Sequence, residues 1–318
     1  VSGINRDPLI WGRYVAVAGA YAACYELTRY FSFSHWMLPA GLRLACLLLV
    51  PKRFWPALAV GEALPIAEMA VLHASAFGVA FAVLASFPPI LFCMPAIAWL
   101  RVRTPLLRPD GQINMGMIMF ATLVCAAVTA VDNSVVLASA VMGDGSASPS
   151  VSTPIFLAWV LGAYLGALAL TPTIMAMRER LAAQPRGIVT WRAVWHSPLT
   201  RDALFIVVPS LAVLMAIATQ VSDGALQCTR IAMAIPVIAL TWRHGWHGTA
   251  IGGMLASIAM ASTSFELQDP AMIQAQTVLA FAISTSLLLG VRIARRIAAT
   301  AAALRSSVVA NSVSTHRH

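Results

Sequence analysis

The chain has 318 residues, 59% of them hydrophobic and only 10% charged, with a mean hydropathy of +0.80. Soluble globular proteins are about half apolar and about a quarter charged, so the charge deficit excludes an ordinary soluble domain. The net charge of +9 does not imply nucleic acid, because basic residues beside membrane spans normally set topology.

Apolar runs recur along the whole length and predict an all-α, polytopic transmembrane bundle. Ten spans can be drawn, at 11–31, 36–50, 54–72, 76–100, 115–141, 154–177, 203–220, 230–242, 246–264 and 272–294. The first follows Arg13 but holds Tyr, Glu and Arg with no cleavage site after it, so it reads as a retained span. The second and eighth are short enough to be re-entrant, which would leave eight crossings. The fourth contains Pro88, Pro89 and Pro95 and is expected to kink or break. Residues 1–297 form the membrane domain on this reading, and 298–318 form a short helical tail.

Charge orients the map. With a cytoplasmic N-terminus, every basic residue except Arg29, Arg43 and Arg230 falls in or beside a cytoplasmic segment. Arg6, Lys52, Arg53, Arg101, Arg186, Arg192, Arg243, Arg292, Arg305 and Arg317 are among them. The opposite loops hold Asp144, Asp223, Glu266 and Asp269. Both termini are therefore expected inside. Residues 49–62, LVPKRFWPALAVGE, and 240–253, LTWRHGWHGTAIGG, share Leu, Trp, Ala and Gly at equal spacing. They read as an internal repeat or as two similar basic turns.

Charges inside apolar runs are the candidate functional residues, because a charge at the bilayer centre costs about 2.5–3.5 kcal/mol on insertion scales. Counting depth along the second and third spans pairs Arg43 with Glu68, with Glu62 as the alternate partner. Glu26 lies at a similar depth, with Arg29 on nearly the same helical face. Asp132-Asn133 and Arg230, which opens the eighth span, complete a belt in the outer third. Arg43, Glu62, Glu68, Glu26, Asp132 and Arg230 are thus candidate ligands for a small polar or charged molecule. The same residues fit ion pairs that only hold the bundle together.

Other residues read more simply. Trp36, Trp55, Trp242 and Trp246, with His35, lie near interfaces and suit an aromatic belt. Gly41, Gly61, Gly162, Gly166 and Gly252 suit close helix packing. Cys24, Cys46, Cys93, Cys125 and Cys228 lack metal or redox spacing and read as small buried hydrophobes. His244 with His247, and His35 with His73, are too few ligands for a metal site. No G-x-S-x-G or H-E-x-x-H occurs, so neither catalysis nor a cofactor is expected.

Several motifs together resemble a known family. They are Trp36-Met37-Leu38-Pro39-Ala40-Gly41, then Arg53-Phe54-Trp55-Pro56 and Gly61. Trp159-Val160-Leu161-Gly162, Gly166 and Thr171-Pro172 follow, and then Trp242-Arg243-His244-Gly245-Trp246-His247-Gly248. Their order and spacing are similar to the membrane-associated sensor domain, type one, abbreviated MASE. Ala163 stands where that family often has an acid, and Arg43 and Glu62 stand where apolar residues are expected. The resemblance implies the sensory region of bacterial signalling proteins, in the inner membrane. Such regions are usually fused to a histidine kinase, diguanylate cyclase or phosphodiesterase, none of whose residues are present. A relative is the sensory half of a hexose-phosphate sensor kinase, which works with a transporter-like partner.

The expectation is a sensor in the lipid bilayer that detects a small molecule or membrane partner. It would relay the signal through its C-terminal helix, as in a two-component system. A separate output protein (histidine kinase, cyclase or response protein) or a homo-oligomer would complete it. A secondary transporter or small-solute carrier is the alternative, because broken helices and intramembrane charges suit that class too.

Overall fold

The computed structural model describes residues 8–32, 36–108, 112–143, 147–182, 197–263 and 269–315. Side chains are described from residue 10 to 297 and at 299 and 300. His35, Asp144, Glu266, Arg6, Arg186, Arg192 and Arg317, and the side chain of Arg305, lie outside that set.

The described chain is helical, with one isolated bridge between Leu107 and Ile113. The helices are α1 Pro8–Tyr30, α2 Leu38–Leu49, α3 Trp55–Leu72, α4 Ala74–Ala85, α5 Ile90–Arg103, α6 Met115–Ala138 and α7 Thr153–Ala182. They continue with α8 Pro198–Ala218, which holds a π-helical turn at Ala203–Val207. After it come α9 Asp223–Ala232, α10 Ile235–His244, α11 Trp246–Ala261 and α12 Pro270–Thr315. Two compact units result: Val1–Met175 with Ser264–Thr277, and Ala176–Thr263 with Val278–His318.

All ten expected segments are helical, but not all have the length and composition of a full crossing. Seven stretches among the described residues do: 52–72, 74–103, 115–138, 153–182, 198–218, 223–244 and 270–297. The 12 residues of α2 rise only about 18 Å, against about 30 Å of hydrocarbon. The 16 residues of α11 rise about 24 Å. The expected short eighth span is longer than anticipated. It begins at Asp223 rather than Arg230, so that Arg230 sits late in α9 instead of opening a helix.

Proline punctuation works as expected in the fourth segment. Pro88 and Pro89 separate α4 from α5. Neither proline has an N–H to donate, and the ring blocks continuation of the preceding helix. The two related-looking turns are built differently. Residues 52–54 form a 3₁₀ turn, whereas the second reversal is made at Gly245, whose φ of 63° favours glycine.

Packing in the first unit uses backbone approach. A Cβ on Gly61 would lie 2.5 Å from the Ala18 carbonyl oxygen, so α1 and α3 touch through that glycine. A Cβ on Gly41 would lie 2.6 Å from the Gly166 carbonyl oxygen, and one on Gly166 would overlap the Met37 carbonyl. The Thr171 hydroxyl donates to the Gly41 carbonyl at 2.9 Å, and Met37 N–H donates to the Gly162 carbonyl at 3.0 Å. The Pro39–Gly41 motif and the Gly162–Thr171 motif therefore form one seam between α2 and α7.

Two expectations are corrected here. Trp36, Trp55 and Trp246 are buried inside the fold, and of the four tryptophans only Trp242 is exposed like a belt residue. Proximity to a turn placed them near an interface by sequence, but the Trp55 ring packs inward even though Pro51, Lys52 and Arg53 of its turn are exposed. Cys24 and Cys228 are exposed rather than buried, because apolar composition does not distinguish a lipid-facing from a core-facing helix side.

Substitution should follow this geometry. Gly61→Val should cost about 1–3 kcal/mol by overpacking the α1–α3 contact. Gly19→Ala, with nothing within 4 Å of the added carbon, should be neutral or slightly stabilising. Reversible unfolding in detergent compares the two.

Candidate functional site

Three helices and one helix start converge on Glu62. From α3, Glu62 is fully buried, and Arg43 on α2 is 2% exposed. Arg43 Nε donates to Glu62 Oε1 at 2.9 Å, and Nη2 stands 2.9 Å from the same oxygen. The Tyr21 hydroxyl, on α1, donates to Oε2 at 2.6 Å. Arg43 Nη1 donates to Thr129 Oγ1 on α6 at 2.9 Å, and that hydroxyl donates in turn to the Cys125 carbonyl at 2.8 Å.

The fourth donor to Glu62 comes from the proline break. A helix start leaves its first amides without intrahelical partners. Leu91 N–H reaches the Pro88 carbonyl, and the N–H groups of Phe92 and Cys93 reach that of Pro89. The remaining Ile90 N–H donates to Glu62 Oε1 at 3.1 Å. The carboxylate thus caps α5, where the positive end of the helix dipole also favours negative charge.

The expected Arg43–Glu68 pair is not formed; Arg43 pairs with Glu62, and Glu68 is exposed. The reason is geometric. Depth counted inward from Trp36 on one span and outward from Phe54 on the other accumulates error, whereas counting both from the shared turn gives a common origin. Arg43 lies six residues before Leu49, the end of α2, and Glu62 seven after Trp55, the start of α3. Six residues also separate Glu62 from Glu68, which turns Glu68 about 120° away around the helix.

The other candidates scatter. Glu26 pairs with Arg29 at 2.9 Å along α1, with both side chains about 40% exposed (43% and 41%). An exposed pair of that kind contributes about 0–1 kcal/mol. Asp132 is half-buried on α6, one turn beyond Thr129, and neighbouring Asn133 Nδ2 approaches the Met37 sulfur at 3.9 Å. Arg230 is buried in the second unit, where Nε and Nη2 bind the hydroxyl and carbonyl of Thr263 at 3.2 and 3.0 Å. It ties α9 to the end of α11 and belongs to a different unit from the other five.

Tyr21, Thr129 and the Ile90 amide escaped the sequence reading. A tyrosine and a threonine in apolar helices carry little signal alone. The Pro-Pro step was a usable clue, because a broken helix must place its first free amide somewhere. In the second unit, His244 Nε2 and Asp202 Oδ2 are 2.7 Å apart, and His247 stands 3.5 Å from Glu179. Among the described residues no three His, Cys, Asp or Glu side chains group as metal ligands.

The arrangement can hold helices in register and can change state as a unit, because all four donors share one carboxylate. Glu62→Gln should destabilise the protein by about 3–5 kcal/mol by leaving Arg43 buried and uncompensated. Glu68→Gln should stay within about 0.5 kcal/mol. Tyr21→Phe should fall between them, at about 1.5–3 kcal/mol for a hydrogen bond to a charged group. Unfolding midpoints in detergent rank the three.

Comparison with curated proteins and with solved structures finds no match to either. A family comparison does: the MASE1 model matches residues 9–296, nearly the whole chain. The match takes in both seam motifs, the Gly245 reversal, the Arg43–Glu62 pair and the apolar length of α12. Seven long apolar helical stretches among the described residues agree with it in making this a multi-pass membrane protein. The chain belongs to the MASE1 family of membrane sensor domains.

Proposed function

We propose that this chain is a signal-input module of the bacterial inner membrane that relays its state through α12. The observation that carries the reading is the course of α12. It runs unbroken from the last apolar span, past residue 296 where the family match ends, to Thr315. A helix of this kind can transmit rotation or translation to whatever follows or binds it.

The signal is a small ligand or a membrane partner that binds one arrangement of the bundle better than another. Only such a difference in affinity shifts the equilibrium. Arg43 and Glu62 serve as a latch in this scheme: they define one arrangement sharply, because neither tolerates being buried alone. The output is an effector coupled to α12, a histidine kinase, cyclase or response protein, or a second copy of the chain. The reading assigns no catalysis to this chain.

The α4–α5 break also fits a carrier, since broken helices and intramembrane charges are common in transporter sites. Solute uptake by the purified protein in liposomes, lost on Arg43→Ala, would establish that reading instead.

The relay can be tested without knowing the signal. A diguanylate cyclase reporter is joined to the α12 extension, and one to seven alanines are inserted after Arg296. Each insertion turns the distal helix by about 100°, so output should oscillate and return towards the starting level at seven residues. Output that changes monotonically with length, or not at all, would contradict a helical relay.

A further inference from the structure

We propose that the second unit binds an anionic phospholipid in a groove between α10 and α12. The groove encloses about 410 Å³. That volume falls within the roughly 300–1,000 Å³ of small-molecule sites. Its floor is fixed by hydroxyls: Thr241 and Thr249 lie 2.9 Å apart, and Thr249 reaches the Ser286 carbonyl at 3.2 Å. These bonds join α10, α11 and α12 beneath the groove.

The wall on α12 is one helical face. Phe281, Thr285, Leu289, Arg292 and Arg296 follow at spacings of four, four, three and four, which stacks them along one stripe. Trp242 faces them from α10. Phe281 and Trp242 are 73% and 67% exposed, so the apolar wall is open to the bilayer rather than covered by protein.

Charge and length select the occupant. Both cations lie at one end of the stripe, and among the described residues no carboxylate lines the groove and neither arginine forms an ion pair. From Phe281 to Arg296 is fifteen residues, or about 22 Å along the helix. One leaflet, headgroup included, is about 20–22 Å deep. An acyl chain can therefore lie along Phe281 and Leu289 while the phosphate meets Arg292 and Arg296. Planar guanidinium groups bind phosphate oxygens in pairs, and basic pockets between membrane helices take anionic headgroups. A free phosphate would use the arginines but leave the apolar stripe unoccupied.

Native mass spectrometry of the full chain in detergent tests the site. Phosphatidylglycerol and phosphatidylcholine with identical acyl chains are the probes. The wild type should retain phosphatidylglycerol at least about tenfold better than phosphatidylcholine, and Arg292→Gln/Arg296→Gln should abolish that preference. Phosphatidylglycerol with brominated chains should quench wild-type fluorescence more than brominated phosphatidylcholine does, and Trp242→Phe should remove that excess, because Trp11 and Trp99 are also exposed and contribute equally with either lipid. Equal retention of the two lipids would overturn the proposal. So would full retention by the double variant, displacement by millimolar inorganic phosphate, or an excess of quenching by phosphatidylglycerol that persists in Trp242→Phe.

Discussion

One carboxylate holds the first unit together. Glu62 receives the Arg43 guanidinium, the Tyr21 hydroxyl and the Ile90 amide, and Arg43 extends the set to Thr129. Through these contacts α1, α2, α3, α5 and α6 share a single electrostatic centre. The sequence requirements follow from it. Gly61 lets α1 approach α3 closely beside Glu62, and the Pro88-Pro89 step opens the helix whose first amide Glu62 caps.

Burying an ion pair is a weak way to gain stability and a strong way to define an arrangement. Its desolvation cost nearly cancels the attraction, yet leaving either member unpaired costs about 3–5 kcal/mol. Apolar helices can slide or rotate in lipid with small changes in energy, because lipid tails are as apolar as the side chains. A charge pair in the middle removes that freedom. Any competing arrangement must either keep all the partners or supply new ones, which suits an element with two discrete states. The second unit uses smaller devices: Arg230 closes the end of α11, and a chain of threonines joins three helices.

Much of the architecture is legible in the sequence, for stated reasons. Apolar runs report helices, the Pro-Pro step reports a break, and Gly41, Gly61 and Gly166 lie where backbones meet. Arg43 and Glu62 stood out because charge is expensive in an apolar run. What sequence does not carry is which side of a helix faces protein. That gap put Trp36 and Trp55 at an interface and buried Cys24, and together with the error in counted depth it sent Arg43 to Glu68. It also hid Tyr21 and Thr129, whose importance arises only once Glu62 is beside them.

The most direct measurement is a double-mutant cycle on Arg43 and Glu62, read by reversible unfolding in detergent. Arg43→Met and Glu62→Leu should each be strongly destabilising, whereas the double variant should recover about 2 kcal/mol or more relative to their sum. Effects that add to within about 0.5 kcal/mol would contradict the account, because they would mean that the two charges are not each other's partner.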